Sequence, residues 1–80
     1  MKRIKINGRI LGATYKSTSY YGNPKYYVSF ENVETGEFFM GETANNAACA
    51  YGIRNEKFTK QATIIYHITR NNNVIVDYCY

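Results

Sequence analysis

Over most of this 80-residue chain, apolar and polar positions alternate with the two-residue period of β-strands. Lys2 to Lys16 reads as one long strand in which Gly8 or Gly12 admits a bulge or a sharp bend; Asn7-Gly8 offers a tight hairpin as the alternative. Ser17 to Pro24 is a run of turn formers, long enough for a loop, with Tyr20 and Tyr21 embedded in it. Lys25 to Asn32 alternates cleanly, placing Tyr26, Val28 and Phe30 on one face and Tyr27, Ser29 and Glu31 on the other. Glu34-Thr35-Gly36 turns the chain, and Glu37 to Glu42 returns with Phe38 and Met40 on the core side and Phe39 opposed to them.

Thr43 to Tyr51 changes character. Ala44, Ala47, Ala48 and Tyr51 follow the i, i+3, i+4, i+7 spacing of a helix, Thr43 suits an N-cap and Gly52 a stop, so the pattern predicts a short helix near 44–51. Arg54 to Lys60 is a charged connection. Gln61 to Thr69 is a strongly apolar strand with Ala62, Ile64, Tyr66 and Ile68 on one face. Asn71-Asn72-Asn73 is a turn whose residues tolerate positive φ, and Val74 to Tyr80 closes the chain with Val74, Val76, Tyr78 and Tyr80 opposite Ile75, Asp77 and Cys79.

The order is strand, strand, strand, short helix, strand, strand, in a single domain over residues 1–80, mainly β (α+β) in class. This order, with its glycine-containing first strand, resembles the OB-fold, and the resemblance covers almost the whole chain. It implies a small five-stranded antiparallel barrel; an SH3-like barrel, or an open antiparallel sheet with one packed helix, gives nearly the same string. The resemblance also implies a binding face on the second and third strands, flanked by the loops at Ser17–Pro24 and Arg70–Asn73. On this chain that face would comprise Lys16, Tyr20, Tyr21, Lys25, Tyr27, Phe39, Arg70, Asn71 and Asn72.

Charge sharpens that picture. The first thirty residues carry Lys2, Arg3, Lys5, Arg9, Lys16 and Lys25 and no acid, while the rest hold four basic residues against six acids, so the formal +4 divides into +6 and −2. Cations interleaved with Tyr15, Tyr20, Tyr21, Tyr26, Tyr27 and Phe30 suit a polyanion whose bases stack on flat rings. The expectation is a non-enzymatic binding domain for single-stranded DNA or RNA. The alternative is a small protein–protein interaction module or inhibitor, of the kind found in phages and mobile elements, docking on a larger protein by its tyrosine-rich surface. Much of the tyrosine complement is also what a β core with hydroxyls reaching solvent would use.

Catalytic chemistry finds little foothold. His67 stands in a strand beside Ile65 and Thr69, Glu31, Glu34, Glu37 and Glu42 cluster around one hairpin, and no phosphate-binding loop, nucleophile elbow or H-E-x-x-H motif occurs. Cys49 and Cys79 form no C-x-x-C pair, and with His67 as the one further soft ligand neither zinc nor another cofactor is expected; both thiols are expected buried and reduced. No apolar stretch approaches the about 20 residues of a membrane span, and the first residues lack the apolar segment of a signal peptide, so a cytoplasmic protein is expected. The last strand ends in Asp77-Tyr78-Cys79-Tyr80 with little charge to deter edge pairing, which makes a homodimer through a sheet edge a further expectation.

Overall fold

The computed structural model describes residues 2–80. Five strands, β1 (Ile4–Thr18), β2 (Pro24–Asn32), β3 (Phe38–Thr43), β4 (Ala62–Ile68) and β5 (Val74–Cys79), close a barrel in the order β1-β2-β3-β5-β4, with one helix, α1 (Ala50–Arg54), between β3 and β4. The OB-like element order therefore forms a closed barrel and not an open sheet. It is not wholly antiparallel: β3 and β5 run parallel where Gly41–Thr43 face Val74–Val76. All other neighbouring strands are antiparallel.

One bent strand, not a hairpin, forms the first 15-residue element. Its first half pairs with β4 and its second with β2, and Gly8 sits at the corner with Asn32 on one side and Ala62 on the other. Two irregularities follow on the β2 side: Leu11 is extra between Ile10 and Gly12, and Lys16 is extra between Tyr15 and Ser17. Each bulge lets the strand coil as barrel closure demands and re-aims a side chain.

Ile10, Val28, Phe30, Ile64, Tyr66 and Val76 fill the interior, with Ala50 and Ile53 of α1 joining the same cluster. The faces read from β2 and β4 hold over Tyr26, Val28, Phe30, Ala62, Ile64 and Tyr66, which are all buried, whereas Ile68 at the end of β4 is exposed.

Two faces differ from the sequence reading. A three-residue turn at Glu34–Gly36 would set Phe30 opposite Met40. The actual connection also includes Val33: Asn32 N–H donates to the Glu37 carbonyl, the Asn32 side-chain oxygen accepts from Glu34 N–H, and Phe30 pairs with Phe39. One residue more in the loop moves every β3 side chain to the other face. Phe39 therefore stacks on Phe30 at 5.0 Å inside the barrel, while Phe38 and Met40 are 56% and 71% exposed outside. In β5, Ile65 faces Tyr78 but Tyr66 faces Val76, leaving Asp77 as the extra residue. The phase flips there, so Cys79 turns inward with Val76 and Tyr78 outward.

The helix lies later than the alanine spacing predicts. Thr43 is no N-cap: it is fully buried in β3, its hydroxyl accepts the Tyr26 backbone N–H at 3.1 Å, and Ala44 N–H extends the pairing to Val76. Two four-residue turns, Ala44 to Ala47 and Ala47 to Ala50, delay the helix until Ala50. Gly52 lies within it, because a Cβ there would come 2.5 Å from the Phe58 ring that packs against it.

Candidate functional site

The outer face of the β1–β2–β3 sheet carries exposed groups that a core does not explain. Tyr27 and Glu31 on β2 stand opposite Glu42 and Phe38 on β3, and Ser29 stands opposite Met40. Tyr27 is 51% exposed, so with Phe38 and Met40 it makes a solvent-facing row of large apolar groups on paired strands. Rigid strands hold such a row in place without an ordering cost at binding. Between Tyr27, Met40, Glu42 and the β4–β5 loop lies an open groove of about 330 Å³, bounded on the loop side by Asn72, Asn73 and Val74.

The loop has the form its asparagines allow. Asn72 adopts φ 62°, its N–H donates to the Thr69 carbonyl, and Thr69 N–H donates to the Asn73 carbonyl. The turn thus sets Asn72 against β3, where β5 runs parallel beside Gly41. Arg70 and Asn71 are exposed on the same loop but do not line the groove.

Charge at the groove is organised by Glu42. Because Lys16 is the extra residue of its bulge, its ammonium reaches across β2 to Glu42 at 2.8 Å and lies 5.3 Å from the centre of the Tyr27 ring. Lys25 reaches the other carboxylate oxygen at 3.3 Å. The Lys16 hydrogen bond holds the Glu42 carboxyl below its ordinary range, against a smaller opposing effect of burial, and the same bond raises Lys16. Two cations on one anion leave a net positive charge beside an aromatic ring. Further along the face Arg9 pairs with Glu31.

The structure thus brings Lys16, Lys25, Tyr27 and Asn72 together. It removes Phe39, which belongs to the core, and supplies Phe38, Met40 and Glu42, which the sequence reading missed. The signal that finds them is Asn32, whose side chain starts the hairpin loop one residue before the Glu-Thr-Gly turn. Tyr20 and Tyr21 are exposed at 95% and 69%, packed edge-to-face against each other at 5.6 Å. Their loop is tied to the β3–α1 connection and to α1, through Ser19 Oγ donating to the Asn45 carbonyl at 2.7 Å and Tyr51 hydroxyl to the Gly22 carbonyl at 3.4 Å.

Elsewhere, His67 Nδ1 lies 2.7 Å from the buried Asp77 carboxylate, to which Arg3 also approaches at 3.5 Å. That grouping gives partners to an acid that is buried at the β5 bulge. Cys79 is buried, whereas Cys49 is partly exposed, and the nearness of the two thiols lowers Cys49 and raises Cys79 from the ordinary thiol value. Among the described residues no three His, Cys, Asp or Glu side chains stand close enough to hold a metal ion, and no helix is long and apolar enough to cross a membrane. No protein-family model matches the chain, and no curated protein or solved structure matches it, so the reading of this face rests on its own geometry.

Proposed function

We propose that this chain is a non-enzymatic binding domain for single-stranded nucleic acid. The observation that carries the reading is the exposed row of Tyr27, Phe38 and Met40 on paired strands, with Lys16 and Lys25 at its side and the Asn72 loop across the groove. Unpaired bases stack on such rings whatever their identity, each contributing about 1–3 kcal/mol, and a duplex hides those surfaces. Lys16 and Lys25 meet the phosphates, and Glu42 keeps the two ammonium groups in place over the Tyr27 edge of the groove.

Because Glu42 already neutralises part of that charge, stacking outweighs counterion release, and the slope of log K against log salt is about −2 or shallower. Fluorescence anisotropy with a labelled oligothymidylate and with its duplex, each at low and at physiological salt, tests this. Preference for the single strand with a shallow slope supports the proposal. No binding at low salt, or equal binding of the duplex, rejects it.

A further inference from the structure

The circuit of strands is closed at β3–β5, but β1 is longer than its partners can cover. On the side away from β2, β4 covers β1 only over Ile4–Gly8, and Ile10 N–H then donates to the Phe58 carbonyl at 2.8 Å. Among the described residues no backbone hydrogen bond reaches that edge between Leu11 and Thr18. The phase of the ladder identifies which groups are left. Tyr26 N–H points away from β1, toward Thr43, and alternation turns Val28 the same way. Their partners across the pair, Tyr15 and Ala13, therefore direct their own N–H and C=O groups outward along the free edge.

Such an edge is normally guarded by charge. Here Leu11-Gly12-Ala13-Thr14-Tyr15 has none, and the cation that follows it in sequence, Lys16, is drawn off to Glu42. Leu11 and Tyr15 are 45% and 53% exposed. Beside the edge lies a cavity of about 180 Å³, lined by Ile10, Leu11 and Ala13 from β1, by Ile53 and Arg54 from α1, and by Glu56 and Thr59 from the connection that follows. The segment Arg54 to Lys60, which supplies Arg54, Glu56 and Thr59 to that lining, also carries Lys57 and Lys60 and so has a net formal charge of +2.

We propose that this edge is a second binding site, which takes an extended, acidic-flanked peptide segment of a partner protein by strand addition. Ala13 and Tyr15 exchange backbone hydrogen bonds with the segment, an aliphatic side chain of the segment fills the cavity against Ile53, and its flanking carboxylates face Arg54, Lys57 and Lys60. Backbone groups that already lie in strand geometry need no rearrangement to accept it. A second copy of this chain is the less suitable occupant. Edge-to-edge pairing confined between the Leu11 and Lys16 bulges falls far short of the about 1,600 Å² of a standard stable interface, and it would set two positive flanks side by side.

The probes are an acetylated and amidated peptide, Asp-Val-Thr-Ile-Thr-Val-Asp, and its counterpart with lysines in place of the two aspartates. Each is titrated into ¹⁵N-labelled protein. The aspartate peptide is expected to shift the Ala13 and Tyr15 amide resonances and slow their exchange while leaving those of Phe38 and Met40 in place, and to bind about tenfold more tightly than the lysine peptide. Ala13→Pro removes one outward N–H and should abolish binding. Arg54→Glu tests the site should that variant fail to fold: it should weaken the aspartate peptide about tenfold, strengthen the lysine peptide and leave oligothymidylate binding unchanged. The proposal is overturned if the Ala13 and Tyr15 amides stay fixed at millimolar peptide, if both peptides bind alike, or if those amides are already protected in free protein in proportion to its concentration, which would give the edge to a second copy. The two surfaces are separate, so loss of either activity leaves the other measurable.

Discussion

Phe38 and Phe39 are adjacent in sequence and opposite in role, and truncating each in turn tests the register on which both the core and the binding face depend. Phe39 packs on Phe30 at 5.0 Å and on Tyr66 at 5.1 Å, while remaining only partly buried. Full burial would put the cost of Phe39→Ala at about 3–5 kcal/mol; partial exposure reduces it to about 2–3 kcal/mol, loss of the two ring contacts included. For a domain of this size that lowers the melting temperature by about 10–20 °C. Phe38 is 56% exposed on the outer face, so Phe38→Ala should stay within about 0.5 kcal/mol. Urea unfolding followed by circular dichroism, with equal slopes for both variants, measures the difference. Equal costs, or the larger cost at Phe38, would place β3 one residue out of register and dissolve the row of Tyr27, Phe38 and Met40.

Three further outcomes follow from particular contacts. Gly41→Ala would drive a Cβ into the Val74 carbonyl oxygen and to 2.8 Å from the Val74 Cβ, at the one parallel seam of the barrel. It should cost about 2–3 kcal/mol in urea unfolding, and a cost within 0.5 kcal/mol would show that the seam is not closed as described. Glu42 is held below the ordinary carboxylate value of 4.5, mainly by the Lys16 hydrogen bond, so its contribution is fully present above that pH and fades as pH falls through the lower folded value. The urea midpoints of wild type and Glu42→Gln should accordingly differ above pH 4.5 and converge on acidification; a gap that widens in acid contradicts the Lys16–Glu42–Lys25 arrangement. Cys49, lowered by the nearness of Cys79 and less buried, should be alkylated by iodoacetamide well before Cys79, as peptide mass mapping will show; the reverse order would contradict that pairing.

The parts of this fold that were legible in the sequence are those where alternation has one solution. In β2, Tyr26, Val28 and Phe30 form the only continuous apolar face, and the long β1 follows from glycines placed where a barrel corner needs them. In β3 the run Phe38-Phe39-Met40 is apolar in both phases, so its face was decided by the loop, through hydrogen bonds that include Glu34 N–H to the Asn32 side chain and Asn32 N–H to the Glu37 carbonyl. The Asp77 bulge had no local signal, because it depends on a carboxylate finding His67 across the β4–β5 pair and Arg3 near the start of the chain. The helix was displaced for a similar reason: Thr43 serves the β2–β3 pairing, a demand that outweighs a capping preference. Of the face predicted from the OB-like resemblance, Lys16, Lys25, Tyr27 and Asn72 lie together because strand order is completed by the Lys16 bulge and the Asn72 turn, and Phe39 is lost because membership there turns on register.

The central claim is that the exposed row on β2 and β3 stacks on unpaired bases. Its most direct test is the affinity of the Tyr27→Ala/Phe38→Ala double variant for labelled oligothymidylate, relative to wild type at the same salt. Two lost stacking partners should cost at least about 2 kcal/mol, a weakening of about 30-fold or more, with the fold intact by circular dichroism. Affinity unchanged in the folded double variant would contradict the account.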